Sequence, residues 1–190
     1  MPAPIVIVDY DPRWPLRFEA ARTAITRAVG GLLVSIEHVG STAVPGLAAK
    51  PIIDIMPGIR RFEDGYECVA PLEALGYEYR GEYGFPGRYY FVKDDDEGKR
   101  EQQLHMLVAG SDPWTRHILF RDLLRANPHE AEQYARLKRS LAERYRHDRE
   151  AYAEAKTTFI EGALERAKAW VERPSNSPAR GKATRPAADS

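Results

Sequence analysis

Apolar residues follow two spacings along this chain. Helical spacing runs through Trp14–Val29, through 62–75, and through C-terminal stretches that begin near Pro113, Asn127 and Tyr152. Short β-rich or apolar runs, each predicted to be a strand, cover 5–8, 33–39, 52–56, 77–80, 88–92 and 104–108. The pattern predicts the α/β class: a mixed β-sheet of five or six strands with an N-terminal helix and a C-terminal helical subdomain.

The length and the composition of the C-terminus predict one domain and a tail. A chain of 190 residues is long enough for a single domain with its own core. From residue 173 onward Pro, Ser, Ala, Gly and Arg dominate without apolar periodicity. We therefore expect a folded domain over 1–172 and a disordered tail over 173–190.

Charge and cysteine content narrow the classes of function. Lys plus Arg and Asp plus Glu are 28 each, and this neutral balance disfavours nucleic-acid binding, which needs a basic excess. The single cysteine, Cys68, excludes an intramolecular disulfide and a Cys-rich zinc site. The N-terminus lacks the pattern of a signal peptide, and no run reaches the ~20 apolar residues of a membrane helix. We expect a cytoplasmic protein with no membrane partner.

An aspartate interrupts one of the most apolar runs. Asp54 lies within 52–56, where apolar residues stand on both sides of it. A carboxylate in such a strand must be paired, bound to a metal, or strongly shifted in pKa, because an unpaired buried charge is costly. Two interpretations stay open: a structural aspartate that its neighbours satisfy, or a member of a functional site.

The loop before this strand carries residues that are suited to phosphate. Gly40 allows close backbone approach, and Ser41 and Thr42 offer hydroxyl and N–H groups. Lys50 supplies a positive charge, although the spacing is not that of a Walker A loop. His38 is either a further donor at the end of its strand or an ordinary hydrogen-bonded strand histidine. The loop is thus a candidate phosphate site next to the aspartate.

Four residues farther along the chain are further candidates. His105 alternates with apolar neighbours in a strand, so its side chain either points toward Asp54 or is simply half-buried. Arg121, Lys138 and Lys156 lie within or beside helical apolar stripes and are candidates to reach a phosphate. The alternative for the lysines is a cation at the margin of a helix, with its charge in solvent. For Arg121 it is an ion pair between helices.

These motifs together resemble the GrpB family over roughly residues 5–170. The matching features are Tyr10-Asp11-Pro12, Trp14-Pro15, the run 38–55 (HVGSTAVPGLAAKPIIDI), 120–124 (FRDLL), Tyr134, Lys138, Tyr152 and Lys156. That family is similar to the nucleotidyltransferase superfamily typified by DNA polymerase β. In some bacteria a domain of the family follows dephospho-CoA kinase.

The resemblance implies a nucleotidyltransferase-like mixed sheet and a metal-dependent site that is only partly retained. Gly40 and Ser41 resemble the Gly-Ser pair of the superfamily, and Asp54 resembles the first aspartate of its Asp-x-Asp motif. Met56 stands where the second aspartate is expected and cannot bind a hard cation. The implied cofactor is Mg²⁺ or Mn²⁺ held by Asp54 and His105, and we expect Met56→Asp to strengthen metal binding.

Two functions follow from these residues. The first is a nucleotidyltransferase-fold protein that binds a nucleotide or another phosphate-bearing small molecule and transfers a nucleotidyl or phosphoryl group, with Asp54, Ser41 and Lys50 as catalytic residues. The second is a non-catalytic binding or accessory module with a degenerate metal site, linked to coenzyme A biosynthesis through a CoA-pathway protein partner. Met56 favours the second.

Overall fold

A computed structural model of the chain describes residues 4–171, and this part contains five strands and six α-helices. The strands are β1 Leu33–Val39, β2 Ile53–Ile59, β3 Glu78–Tyr79, β4 Tyr89–Asp94 and β5 Arg100–Val108. The helices are α1 Trp14–Val29, α2 Asp64–Glu73, α3 Asp112–Ala126, α4 Pro128–Arg144, α5 Arg149–Glu154 and α6 Thr157–Val171. The predicted tail, 173–190, lies outside the described residues.

The strands form one mixed sheet in the order β1-β2-β5-β4-β3. β2 and β5 are parallel neighbours, while the other neighbouring pairs are antiparallel. The prediction of a mixed α/β fold with five or six strands is therefore confirmed, with five strands in the sheet. Asp54 lies near the start of β2, an interior strand, where it pairs with Val39 of β1 and with Gln103 of β5.

Strand alternation divides the core into two faces. One face of the sheet packs against α1 and α2. The core cluster between them includes Trp14, Phe18 and Ile25 of α1, Leu72 of α2, and the strand residues Ile53, Ile55, Ile59, Phe91, Leu104 and Met106. The opposite face carries Met56, which packs with Leu107 under Trp114 of α3. Gly58 permits this approach, because a Cβ there would lie 2.9 Å from the Trp114 ring. Asp54 belongs to this second face, on the side of the C-terminal helices.

The C-terminal helices also cover the loop between β1 and β2. Val44, Leu47 and Ala48 of that loop form an apolar cluster with Leu124 and with Tyr134 and Ala135 of α4. The loop is thereby held between the sheet edge and the helices. No helix among residues 4–171 is long and apolar enough to cross a membrane.

Two local predictions were wrong. Residues 5–8 do not form a regular strand: this segment makes one antiparallel bridge, in which the N–H groups of Val8 and Ala49 each donate to the other's carbonyl at 2.9 Å. The predicted last helix is two helices, since α5 ends at Glu154 and α6 begins at Thr157. Both differences bear on the site, because Ala49 and the α5–α6 junction lie next to it.

Candidate functional site

A cavity of about 270 Å³ lies between β2, β5, the β1–β2 loop and the C-terminal helices. The residues that line it are Val39, Gly40, Ser41, Thr42, Ala49, Lys50, Ile52, Asp54, Gln103, His105, His117, Phe120, Tyr134, Lys138, Tyr152, Lys156 and Ile160. Small enclosed spaces lined by apolar residues and a few convergent polar groups are the usual form of a ligand site. The cavity is therefore the candidate functional site.

Asp54 and Gly40 lie in very close contact at the start of the loop. A Cβ on Gly40 would lie 2.3 Å from Oδ2 of Asp54, a distance that real Cβ atoms do not show. The backbone of Gly40 has φ +69° and ψ −171°, a conformation essentially restricted to glycine. Glycine is thus required here both for space and for backbone conformation. It allows the carboxylate of Asp54 to sit directly against the turn that leads into Ser41.

His105 of β5 faces the same carboxylate from the neighbouring strand. Its Nε2 lies 3.5 Å from Oδ1 of Asp54, and its Nδ1 lies 3.3 Å from a guanidinium nitrogen of Arg88. Arg88 is itself held by the carbonyl groups of Glu82 and Tyr83, to which it donates at 3.2 and 3.1 Å. A guanidinium only donates, so Nδ1 of His105 is the acceptor. The proton of a neutral His105 is then on Nε2, toward Asp54.

Three lysines from separate parts of the chain converge on the cavity. Lys138 of α4 donates from Nζ to the carbonyl of Ala48 and lies 4.7 Å from the centre of the Tyr134 ring. Lys156 follows α5, and its Nζ is 4.5 Å from the centre of the Tyr152 ring. Nζ of Lys50 lies over that same ring, at 5.5 Å. Two ammonium groups therefore share one aromatic ring.

The environment of these lysines disfavours their positive charges. Burial, and then the proximity of Lys156, lower the pKa of Lys138 to about 7. Burial followed by the charge of Lys50 lowers the pKa of Lys156 to about 8. Burial also lowers the pKa of Lys50, against the opposing effect of Asp54. Among the described residues that line the cavity, Asp54 is the one carboxylate facing three amines.

Most of the predicted site residues come together at this cavity. Its lining includes Gly40, Ser41, Thr42, Lys50, Asp54, His105, Lys138 and Lys156. The prediction that Asp54 lies on a central strand with Ser41 close by agrees with the geometry. So does the expectation that at least one of the helical cations faces a common cleft with Lys50 and Ser41.

Two predicted site residues lie elsewhere. His38 points to the other side of β1, where it stacks on Phe18 at 4.6 Å between ring centres, and its Nε2 is 3.0 Å from Oγ1 of Thr42. Burial lowers the pKa of His38 to about 4, so the imidazole is neutral. Arg121 is buried between α3 and β1, where it donates to Glu37 at 2.8 Å and to the His38 carbonyl at 3.1 Å. These contacts, and not a cavity ligand, occupy both side chains.

One residue of the cavity was missed from the sequence, and others were given no role in a site. His117 of α3 is the missed residue, and it lines the cavity together with Gln103, which lies in the same strand as His105. Tyr134 and Tyr152 carry part of the family resemblance but were given no role in a site, and their rings contact the lysines. Alternation in β5 places Gln103 and His105 on one face and was a usable signal for Gln103. No local signal marks His117, because its position depends on how α3 crosses the sheet.

The carboxylate and imidazole groups do not form a complete metal centre. No cluster of three or more His, Cys, Asp or Glu side chains suited to a metal ion occurs among residues 4–169. Asp54 and His105 are the two candidate ligands, and Met56 is buried beneath α3, away from solvent. Two-metal catalysis needs several oxygen ligands around ions about 4 Å apart. The residues present do not fit that arrangement.

Known proteins resemble this chain over nearly all of the described region. The UPF0157 protein PA4798 of Pseudomonas aeruginosa is 42% identical over 90% of this chain and 70% of its own length. The UPF0157 protein YqkA of Bacillus subtilis is 36% identical over 91% of this chain, which spans only 50% of that longer protein. A dephospho-CoA kinase of Mycolicibacterium paratuberculosis is 29% identical over 90% of this chain and 47% of its own length.

A solved structure agrees with the fold. The crystal structure of the conserved protein GrpB from Enterococcus faecalis superposes with a TM-score of 0.79 at 34% identity, covering 87% of this chain and 99% of the other. Residues 4–166 match the family described as GrpB protein. The resemblance seen in the sequence is thereby confirmed, and the chain belongs to the GrpB family.

Proposed function

We propose that this protein binds a small molecule that carries a phosphate group, either a nucleotide or a smaller phosphorylated compound, in the cavity between β2 and the C-terminal helices. The observation that carries the proposal is the convergence of Lys50, Lys138 and Lys156 on a space that contains one carboxylate, Asp54. Buried cations without matching anions are costly. A phosphate dianion supplies the missing negative charge.

The chemistry of the cavity suits phosphate in particular. Lysine ammonium groups form charge-assisted hydrogen bonds to phosphate oxygens, and Ser41 adds a hydroxyl group at the neighbouring turn. The Thr42 hydroxyl is instead engaged by His38 and by the Ile52 carbonyl. The volume of 270 Å³ corresponds to roughly nine water molecules at the ~30 Å³ each occupies in the liquid. This size fits a small organophosphate, or the phosphorylated end of a nucleotide whose remainder extends outside.

A more specific form of this proposal is that the protein transfers a nucleotidyl or phosphoryl group, as nucleotidyltransferases do. The support for it is the position of Asp54 on an interior strand of a mixed sheet, beside the Gly40–Ser41 turn. Because the remaining ligands do not fit a two-metal centre, no step is derived through metal ions. Asp54 and His105 are the groups placed to orient a ligand hydroxyl near the phosphate.

A second candidate function is a non-catalytic binding module that acts with an enzyme of the coenzyme A pathway. Two observations favour it: Met56 is fully buried in an apolar cluster, and the chain resembles nearly half of a dephospho-CoA kinase. In this form the same lysines hold the phosphates of a CoA precursor. The two functions share the binding site and differ in whether a metal ion changes the outcome.

A thermal-shift panel tests the shared proposal and separates its two forms. Inorganic phosphate, ATP, dephospho-CoA and CoA are each added with and without Mg²⁺ or Mn²⁺. We expect at least one of them to raise the melting temperature of the wild type, because a ligand that binds only the folded state stabilises it. Enhancement of the shift by a metal supports transfer, and an equal shift without a metal supports the accessory module.

Matched variants locate the binding. Lys156→Met removes a cavity lysine and should abolish the shift. Lys168→Met removes a lysine that lies outside the cavity, where it pairs with Glu165 at 2.9 Å, and should leave the shift intact. A wild-type protein whose melting temperature responds to none of the phosphate compounds at millimolar concentration contradicts the proposal.

A further inference from the structure

Two histidines line the cavity, and their hydrogen bonds assign them opposite roles. His105 accepts from Arg88 at Nδ1, so its Nε2 carries the proton and faces Oδ1 of Asp54. His117 differs, because its Nδ1 lies 2.7 Å from the carbonyl oxygen of Pro113 in its own helix. A carbonyl only accepts, so Nδ1 of His117 is the donor. The tautomers of the two rings are thereby fixed by their partners.

The free nitrogen of His117 is an acceptor. With the proton on Nδ1, a neutral ring leaves the lone pair on Nε2, at the outer tip of the side chain. Burial, with a further contribution from nearby His105, lowers the pKa of His117 and keeps the ring neutral. No donor among the described residues contacts this nitrogen. The ring lines the cavity, with its centre 6.0 Å from that of His105.

The cavity therefore contains hydrogen-bond acceptors as well as cations. The lysines supply positive charge, whereas Asp54 and His117 supply acceptors on the side of the sheet and α3. The dianion of a simple alkyl phosphate carries no hydrogen-bond donor, so such a ligand leaves the His117 acceptor without a partner. A ligand with a hydroxyl or amino group beside its phosphate satisfies both kinds of group.

We propose that Nε2 of His117 accepts a hydrogen bond from a hydroxyl or amino group of the ligand, and that His117 thereby makes the site specific for hydroxylated or aminated organophosphates over simple alkyl phosphates. This inference rests on the proposed function, since it concerns the ligand of the same cavity. It makes His117 a specificity-determining residue. The donor group that it selects lies next to the phosphate-bearing end.

Paired probes that differ only in their hydroxyl groups test the proposal. Calorimetric titration compares 2-hydroxyethyl phosphate with ethyl phosphate, glycerol 3-phosphate with propyl phosphate, and AMP with its 2′,3′-dideoxy form. We expect the hydroxylated member of at least one pair to bind the wild type about tenfold more tightly, which is the usual size of one buried hydrogen bond. Ethyl phosphate and propyl phosphate serve as the references for charge binding alone, and inorganic phosphate is titrated alongside to test the proposed function itself.

Three substitutions assign the preference to Nε2. His117→Asn keeps an N–H near the Pro113 carbonyl but removes the outer acceptor, so the preference should fall to about onefold while the affinity for the alkyl phosphates stays unchanged. His117→Gln places an amide oxygen near the lost nitrogen and should retain part of the preference. His129→Asn makes the same exchange at an exposed position of α4 and should change nothing. Thermal melts confirm that each variant is folded.

The outcomes separate the two proposals. A wild type that binds inorganic phosphate but shows no hydroxyl preference in any pair overturns the role of His117, as does a preference that survives in folded His117→Asn. A wild type that binds neither inorganic phosphate nor any of the probes overturns the proposed function itself. Loss of the preference in His117→Asn alone, with phosphate binding retained, supports both.

Discussion

Lys138 is buried at a cost, and its replacement by methionine gives the sharpest test of that view. The side chain is 2% exposed, donates to Ala48 and faces the ring of Tyr134. Methionine has nearly the same length and volume but carries no charge. We expect Lys138→Met to stabilise the fold in the absence of ligand and to weaken phosphate binding by about tenfold to a hundredfold, the range for a hydrogen bond to a charged group.

The magnitude follows from the change in pKa on folding. The pKa of Lys138 falls from the ordinary 10.5 to about 7, and at about 1.4 kcal/mol per unit the burial costs on the order of 4 kcal/mol at pH 7. Leaving the Ala48 carbonyl without its donor offsets about 1–3 kcal/mol of the gain. A net stabilisation of about 2 kcal/mol remains, which is roughly 4–8 °C in the melting temperature of a domain of this size.

The sign of the pH dependence separates this cause from a change in packing. Between pH 7 and 10.5 the unfolded state binds more protons at Lys138 than the folded state, so the wild type gains stability as the pH rises. The cost of the buried charge falls from about 4 kcal/mol at pH 7 to about 2 kcal/mol at pH 9. Because the unpaired Ala48 carbonyl offsets what remains, the advantage of Lys138→Met should fall to about zero at pH 9 in chemical denaturation. A variant that is less stable than the wild type at pH 7, or whose advantage does not shrink with pH, refutes the reasoning.

Further substitutions test other parts of the site. Gly40→Ala should destabilise the fold by several kcal/mol, and by less in an Asp54→Ala background. In that background the 2.3 Å contact with the carboxylate is gone, while the backbone strain of about 1–3 kcal/mol remains. Equal costs in both backgrounds of a double-mutant cycle would argue against that contact. Met56→Asp should lower the stability of the fold by several kcal/mol, since the side chain is fully buried. Met56→Leu, its control, should cost under about 1.5 kcal/mol. A folded Met56→Asp with an unchanged melting temperature would show that the position is open to solvent. Arg121→Met should lower the stability of the fold by about 1–3 kcal/mol, because Glu37 loses its partner. It should leave phosphate affinity unchanged. Weaker phosphate binding by a folded variant would show that Arg121 contributes to the site.

The elements that the sequence predicted well are those that depend on neighbouring residues. β1 has its predicted bounds, Leu33–Val39, and α1 ends at Val29 before a pair of glycines. The start of α4 could be predicted because Asn127 is a typical capping residue. In the structure its side chain accepts a hydrogen bond from the N–H of Glu130 at 3.2 Å. Such signals act within one turn or one strand, so no knowledge of the tertiary fold is needed to use them.

The elements that the sequence mispredicted depend on distant partners. Residues 5–8 have strand-like composition, yet they lie against the β1–β2 loop, whose backbone offers a single bridge at Ala49. The structure adds a stability cost to the prediction for Met56→Asp, because the sequence placed residue 56 on the face of Asp54 but did not show that α3 covers it. Strand alternation gives the face of a residue and not what packs on that face.

The site residues show the same difference between signals that depend on neighbouring residues and positions that depend on distant partners. Gly40 and Asp54 were predicted together because one loop joins their strands, and Lys138 and Lys156 were predicted because they lie within or beside apolar stripes. Of the two interpretations of His38, the structure agrees with the hydrogen-bonded strand histidine: the residue is adjacent in sequence to Val39 and therefore points to the opposite face of β1. His117 was missed because its approach to His105 is set by the crossing of α3 over the sheet.

The central claim is that the cavity lysines bind phosphate, and proton uptake on binding tests it most directly. Inorganic phosphate is titrated calorimetrically into the wild type at pH 8, in two buffers that differ in ionisation enthalpy. At this pH Lys138 and Lys156, with pKa values of about 7 and about 8, are partly neutral, and a bound phosphate raises both values. The account predicts binding with uptake of about one proton, with less uptake in Lys138→Met. Absence of binding, or binding whose heat is the same in both buffers, would contradict it.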